Sequence, residues 1–195
     1  MKVILASESP RRKDLLSSIG CKFEVYSPNA DESMFEGEAP ESACRRLSIL
    51  KAANASMLYA QAVVIAADTI VVINNCIYGK PRDAIEAKLM LSSLSGNVHK
   101  VITGLTVIFS DVTITETEST FVRFRKLSET DIEAYISTGE YQGKAGAYAI
   151  QGYGSLFVER IDGDYYNVVG LPLQKLSVML ERIGIGFKEQ LKLGS

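Results

Sequence analysis

Asp68 stands at the end of the apolar run Val63-Val64-Ile65-Ala66-Ala67 and is followed by Thr69. A carboxylate that ends a buried strand sits where α/β proteins present their ligands. Such a group can take a proton from water or hold Mg²⁺. An aspartate that merely starts a turn is common, but one between two hydrophobic runs is less so, which favours a functional role. A second cluster is Ser7-Glu8-Ser9-Pro10-Arg11-Arg12. A strand ends there and a helix begins, so backbone N–H groups and the helix dipole attract an anion. Arg11 and Arg12 add full charges and bidentate donors. Positive charge in a first helical turn is a local cost that an anionic ligand would offset. A capped surface helix with two solvated arginines accounts for the same residues equally well.

Lys80, in Gly79-Lys80-Pro81-Arg82-Asp83, lies between a hairpin and a capped helix. Its ammonium can reach a phosphate as a mobile point charge, although the segment alone reads better as a polar loop. Lys51 falls on the edge of an apolar helix face and either snorkels or points into a cleft. The stretch Lys144 to Gly154, Lys-Ala-Gly-Ala-Tyr-Ala-Ile-Gln-Gly-Tyr-Gly, is rich in small residues that allow close backbone approach. Within it Gln151 carries both a donor and an acceptor, which suits the edge of a base. A tight strand crossing in the core would use the same small residues.

Other chemistries are disfavoured. There is no G-x-x-x-x-G-K-[ST] and no G-x-G-x-x-G after a strand, so neither a P-loop nor a dinucleotide fold is indicated. His99 is the only histidine, which removes His-His metal sites and makes any Ser-His or Cys-His mechanism depend on that one residue. His99 reads as structural. Carboxylates, lysine, arginine and a hard metal are the better set for hydrolysis.

The elements that must position these residues follow from periodicity and punctuation. Lys2 to Ala6 reads as a buried strand. Ser9 caps a helix that Pro10 opens and Gly20 stops. Phe23 to Tyr26 reads as a strand, followed by a polar loop through Asp31 and Glu32. A helix is expected from about Glu41 to Tyr59, with Ala43, Leu47, Leu50, Asn54 and Met57 on its apolar face. Val63 to Val72 is strand-like, interrupted at Asp68-Thr69, and Asn74-Asn75 turns it back as a hairpin. Asp83 and Glu86 form a capping box for a helix ending near Gly96. Val101 to Phe109 and Val112 to Phe124 are two long strands. Ser128 and Asp131 start a helix closed by Gly139. Ala147 to Ile150, Ser155 to Ile161 and Tyr165 to Val168 carry strand signal, and Pro172 to Ile183 is a last helix stopped by Gly184. Strand–helix units mixed with antiparallel runs imply an α/β protein with a mixed, twisted sheet and flanking helices.

The chain has 195 residues, enough for one domain with a substantial core. Acids and bases nearly balance, 23 against 21, so no basic excess points to a nucleic-acid polymer. A small anionic substrate is still compatible, because a site can be locally basic in a neutral protein. Cys21, Cys44 and Cys76 are scattered and odd in number, which fits a reducing compartment better than a disulfide or zinc framework. The opening residues lack the order of a signal peptide, and no apolar stretch would span a bilayer. A cytoplasmic protein is the expectation.

Taken together, the clusters resemble the Maf family of nucleotide pyrophosphatases. The resemblance runs through Ala6 to Arg12, Arg46 to Ala52, Ala67 to Val71, Gly79-Lys80-Pro81, Ser95-Gly96 with His99 and Thr103-Gly104, Lys144 to Gly152, and Gly163 to Pro172. Each motif is short; their order over nearly the whole chain carries the resemblance. It implies an elongated, ITPase-like α/β fold of 1–195 as a single domain, with two lobes around a cleft. It implies hydrolysis of a nucleoside triphosphate between the α- and β-phosphates, a divalent cation (Mg²⁺ or Mn²⁺) and a homodimer. Asp68 falls on the family's proton acceptor. Arg11, Thr69 and Gln151 fall on positions linked to base choice, and Thr69 with Gln151 is similar to the branch acting on dTTP and UTP.

On this reading Asp68 activates water, with Glu32 as a second acidic candidate beside it for the metal. Arg11, Arg12, Lys51 and Lys80 bind the triphosphate, Ser7 supplies a neutral donor, and Thr69 and Gln151 face the base. Two alternatives stand beside it. One is a pyrophosphatase for 7-methyl-GTP or another non-standard purine nucleotide. The other is a non-catalytic nucleotide-binding regulator of septum formation.

Overall fold

A computed structural model describes residues 1–193. In chain order the elements are β1 (Val3–Ala6), α1 (Pro10–Ser18), β2 (Glu24–Tyr26), α2 (Pro40–Ser56), β3 (Val63–Ile73), β4 (Cys76–Tyr78), α3 (Ala84–Leu94), β5 (Val98–Phe109), β6 (Val112–Phe124) and α4 (Glu129–Ser137). Two 3₁₀ turns come next, Ala145–Ala147 and Gly152–Phe157, and then β7 (Val158–Asp162), α5 (Tyr165–Val169), α6 (Leu173–Arg182) and α7 (Phe187–Gln190). The strands make one mixed sheet in the order β2-β1-β3-β5-β6-β7, with β4 paired to β3. This is the α/β architecture with flanking helices that the sequence implies. The chain divides into two compact units. The first comprises Met1–Asp68, Thr103–Glu118 and the chain from Gly170; the second comprises Thr69–Ile102 and Ser119–Val169.

In the first unit β1 pairs in parallel with β2 on one side and with β3 on the other. The chain leaves β1 through α1 to one neighbour and crosses back through α2 to the other. The carboxyl end of β1 therefore borders a topological switch point between β1 and β3, the favoured ligand position in such sheets. Alternation along the strands puts Ile4 and Ala6 with Val64 and Ala66 on one face. They bury against Ala52 and Ala55 of α2, with Ala62 completing the cluster. The packing is close because these residues are small. At Gly104 of β5 a Cβ would collide with the backbone carbonyl of Cys44 on α2. Ser48 of α2 meets Thr106 at 2.8 Å, and Arg45 donates to the Thr115 carbonyl at 2.8 Å.

In the second unit β3 continues from Thr69 and turns at Asn74 and Asn75, both in the left-handed region (φ 50° and 61°), to pair with β4. That is the conformation a two-residue type I′ hairpin demands. Phe124, Tyr148, His99, Tyr135 and Phe157 form an edge-to-face aromatic core. Asn167 donates to the Val101 carbonyl and to Thr120 Oγ1, tying α5 to the sheet. Lys88 of α3 bridges Glu129 and Glu133 of α4, and Ser128 with Asp131 completes the expected capping box.

Several expectations are corrected. β3 is one unbroken strand, so Asp68 lies within it and not at its end. Ser9 occupies the N-cap of α1 but makes no side-chain cap bond; its own N–H donates to Ser7 Oγ at 3.3 Å. The buried face of α2 is Ala43, Cys44, Leu47, Ser48, Lys51, Ala52 and Ala55, while Met57 is exposed. Glu86 reaches the N–H of Arg82 instead of Asp83, so only the Asp83 half of that capping box forms. Tyr165–Val169 is helical, and much of 145–157 is 3₁₀ turn, where Gly146 and Gly152 at positive φ take the chain out of extended conformation. α7 is an element that the periodicity of the sequence does not announce.

Candidate active site

Side-chain alternation decides where Asp68 points. Val64, Ala66 and Asp68 share one face of β3, and that face is the one covered by α2. β1 has ended at Ala6, whose neighbours Ile4 and Leu5 pair with Val64 and Ile65. Asp68 thus lies beyond the end of β1, and its buried carboxylate has Lys51 and the charge of Arg12 as neighbours. This recovers the strand-end setting expected of it, through the neighbour's length.

The group facing Asp68 is Lys51. The buried Lys51 Nζ donates to Asp68 Oδ1 at 2.5 Å and forms an ion pair with Glu32 Oε1 at 2.7 Å. Lys51 is on the buried face of α2, so of its two expected settings the structure shows the inward one. One ammonium therefore bridges two carboxylates. Placing a full positive charge in a buried position is costly unless it is paired, and here it is paired twice.

Glu32 comes from the loop between β2 and α2, and residues that sequence reasoning missed hold that loop. Arg46 makes a bidentate pair with Glu38 (Nε–Oε1 2.8 Å, Nη2–Oε2 2.7 Å) and donates to the Ser33 carbonyl at 2.9 Å. Its guanidinium lies 4.0 Å from the centroid of the Phe35 ring. Asp31 closes the turn by accepting from the N–H of Ser33 at 2.9 Å. The Arg46 bonds hold the Glu38 carboxyl below its ordinary value. The one sequence signal able to single out Arg46 is its place in the helix motif with Lys51, about one and a half turns earlier.

Arg12 is buried beside the same carboxylates. Its Nε donates to the Gly170 carbonyl at 2.8 Å and its Nη1 to Ser7 Oγ at 3.0 Å. Burial pulls the guanidinium below its ordinary pKa, Asp68 and Glu32 oppose that shift, and Arg11 adds to it. Two guanidinium groups thus stand close to each other in a first helical turn that has no acidic residue. Ser7 accepts from both Arg12 and Ser9, which uses its two lone pairs and leaves its own proton to donate. Ser7, Arg11, Arg12, Glu32, Lys51 and Asp68 all belong to the first unit and form one cluster there.

Of the remaining expected residues, Thr69, Lys80 and Gln151 belong to the second unit. Thr69 is half-buried on β3, and Lys80 and Gln151 are exposed. The Gly146 N–H donates to the Gly79 carbonyl at 3.1 Å, which brings the Lys80 loop against the 144–154 segment. His99 is buried, with Nε2 2.8 Å from Tyr148 Oη and its Nδ1 without a hydrogen-bond partner. Burial lowers its pKa to about 4, so it is a neutral core residue.

Comparison with known proteins decides the lineage. The family model described as Maf-like protein matches residues 2–183.

The chain belongs to the Maf-like family.

Its Maf-like sequence is 45% identical over 184 residues to the dTTP/UTP pyrophosphatase of Clostridioides difficile (strain 630), covering 93% of this chain and 95% of that one. It is 48% identical to the protein of the same description in Syntrophomonas wolfei, covering 92% and 96%, and 46% identical to that of Pyrococcus horikoshii, covering 96% and 98%. The Ham1 protein of Staphylococcus aureus superposes on 64% of this chain and 72% of its own with a TM-score of 0.45 at 14% identity, a level that establishes no relationship by itself.

The Maf-like cluster also bears on a cation. Among the described residues there is no group of three or more His, Cys, Asp or Glu able to enclose a metal. Asp68 and Glu32 make a pair of carboxylates with a positive charge, Lys51 Nζ, between them. That donor set suits Mg²⁺ or Mn²⁺, which bind through one or two carboxylates, waters and substrate phosphates instead of an all-protein cage. Among the described residues no helix is long and apolar enough to cross a membrane, and the three cysteines are free thiols.

Proposed function

We propose that this Maf-like protein hydrolyses dTTP and UTP between the α- and β-phosphates, releasing the nucleoside monophosphate and pyrophosphate. The observation that carries the reading is a carboxylate pair, Asp68 and Glu32, bridged by Lys51 and flanked by Arg11 and Arg12. It occurs in a chain aligned almost end to end with relatives described as dTTP/UTP pyrophosphatases.

Asp68 accepts a proton from the water that attacks the α-phosphorus. The hydrogen bond from Lys51 fixes which carboxylate oxygen is committed and which faces the water. Arg11, Arg12 and Lys51 bind phosphate oxygens and balance the charge that accumulates on departing pyrophosphate. Ser7 donates its hydroxyl proton to a phosphate oxygen. Asp68 and Glu32 are the residues that would hold Mg²⁺ or Mn²⁺, which when bound neutralises phosphate charge. Thr69 and Gln151 are assigned to the pyrimidine by the family resemblance, and Lys80 to phosphate by the reach of its ammonium. Homodimerisation rests on the same resemblance, and a cytoplasmic location on the three scattered, free cysteines; light scattering of the purified chain tests the first.

Asp68→Asn is isosteric, retains a hydrogen-bond acceptor for Lys51 and leaves Glu32 to balance its charge, so it should fold with a lowered Tm. Loss of a general base lowers turnover by about 10²–10⁴-fold. Steady-state release of pyrophosphate from UTP measures this directly. A rate within a few-fold of the wild type would remove Asp68 from the role.

A further inference from the structure

Gln151 is exposed and lies between two anchor points, one on α4 and one just after it. Before Gln151, the Ala149 N–H donates to Tyr135 Oη at 3.3 Å. After it, the N–H groups of Tyr153 and Gly154 donate to the two oxygens of Glu140, at 3.0 Å to Oε2 and 2.9 Å to Oε1. Tyr135 is in the last turns of α4, and Glu140 comes directly after Gly139, whose positive φ (72°) ends that helix. The Glu140 N–H is itself held by Thr138 Oγ1 at 3.1 Å.

Of the glycines that follow Gln151, Gly152 faces this carboxylate and Gly154 faces the chain before it. A Cβ on Gly152, which has φ 68°, would collide with the Glu140 carboxylate, and a Cβ on Gly154 would collide with the Ala149 carbonyl. The first turn of the 3₁₀ segment Gly152–Phe157 is thus capped from a distance by Glu140. Gln151, at its N-cap, spends no side-chain hydrogen bond there. The carboxamide is left to project from a backbone fixed on both sides.

We propose that Glu140 is the positioning residue for Gln151 and thereby sets how well the pyrimidine is held; this rests on the reading of Gln151 as a base-contacting residue. A carboxylate suits the task because it accepts two N–H bonds at once, each strengthened by its charge. Glu140→Gln keeps one acceptor and turns an NH₂ toward the second N–H, so the 151–154 segment must move.

The test is a double-mutant cycle on the purified full chain, with KM and kcat for UTP and dTTP measured for wild type, Glu140→Gln, Gln151→Ala and the double variant. Gln151→Ala raises KM if it holds the base. Glu140→Gln raises KM about tenfold, the scale of one or two lost hydrogen bonds, with kcat at saturation nearly unchanged. In the Gln151→Ala background Glu140→Gln has no further effect on KM. Tyr135→Phe, which removes the other anchor and leaves the carboxylate in place, produces a smaller shift of the same kind. Equal effects of Glu140→Gln with and without Gln151, or a parallel fall in kcat for every substrate, would make Glu140 purely structural and overturn the proposal. No change of KM in Gln151→Ala alone would instead remove the base-contacting reading, and the proposal with it.

Discussion

Replacing Lys51 with methionine keeps the length and apolar stem of the side chain and deletes the ammonium. In the native protein that ammonium lies 2.5 Å from Asp68 and 2.7 Å from Glu32, with side-chain exposures of 7% for Lys51, 11% for Asp68 and 47% for Glu32. The two arms are unequal. Glu32 can turn into water, so its arm contributes as a surface pair does, about 0–1 kcal/mol. Asp68 cannot, and removing one partner of a buried pair costs about 3–5 kcal/mol. The positive charge of Arg12 still acts on Asp68, so the low end, about 3 kcal/mol, is expected. For a chain of this length that is a fall in Tm of about 6–12 °C, since each kcal/mol moves Tm by about 2–4 °C. A divalent cation is the added species able to replace the missing charge between the carboxylates. Millimolar Mg²⁺ or Mn²⁺ should therefore raise the Tm of Lys51→Met by more than it raises that of the wild type, as expected when a ligand binds the folded state alone. Thermal unfolding with and without metal measures both effects. A loss below about 2 °C would refute the energetic reasoning, and equal metal responses of the two proteins would refute the placement of the cation.

Two further outcomes follow from the packing. Gly104→Ala sets a Cβ against the Cys44 carbonyl and 2.9 Å from the Arg45 N, both backbone groups of α2. The helix must shift, at a cost of about 1–3 kcal/mol, and turnover should fall because Lys51 moves with it; unchanged Tm and kcat would contradict the close packing of α2. His99 has its folded-state pKa lowered to about 4 by burial, against an ordinary 6.5. The unfolded chain then takes up the proton first as the pH falls, so stability is complete above 6.5 and is lost on acidification toward 4. Between pH 7 and 5 the loss from this residue is about 2 kcal/mol. Urea midpoints of wild type and His99→Gln over that range should differ in slope, and parallel slopes would place the pH dependence elsewhere.

That Asp68 adjoins a buried strand is legible because five apolar residues precede it, yet its place within that strand is not. A strand's own sequence does not reveal where its neighbour stops, and the opening beside Asp68 is made by the end of β1 at Ala6. The face of α2 is misleading for a related reason. Large apolar residues dominate a hydrophobic pattern, but the sheet approaches this helix closely, so Ala52 and Ala55 are buried while Met57 is exposed. Glu32 is identifiable as an acid in a polar loop. The Arg46 bonds that hold its loop join residues eight and thirteen positions apart, and they depend on a loop path that no periodicity encodes. The stretch 145–157 carries β-favouring side chains, and tertiary contacts override them. Gly146 packs against Val71 and Gly152 against Glu140 in backbone conformations that only glycine adopts easily. Turn chemistry local to a few residues, as at Asn74-Asn75 and Ser128 to Asp131, is legible because its determinants are adjacent.

The proposed reaction is attack of water on the α-phosphorus of a pyrimidine nucleoside triphosphate. Following the reaction of the purified chain with UTP or dTTP and Mg²⁺ in ¹⁸O-labelled water by ³¹P NMR tests it, because the label marks the phosphorus that water attacks. Inorganic pyrophosphate and the nucleoside monophosphate are expected in equal amounts, with the labelled oxygen in the monophosphate, from the wild type and not from Asp68→Asn; label in the pyrophosphate would place the attack on the β-phosphorus. Orthophosphate with nucleoside diphosphate, or turnover confined to purine triphosphates, would contradict it.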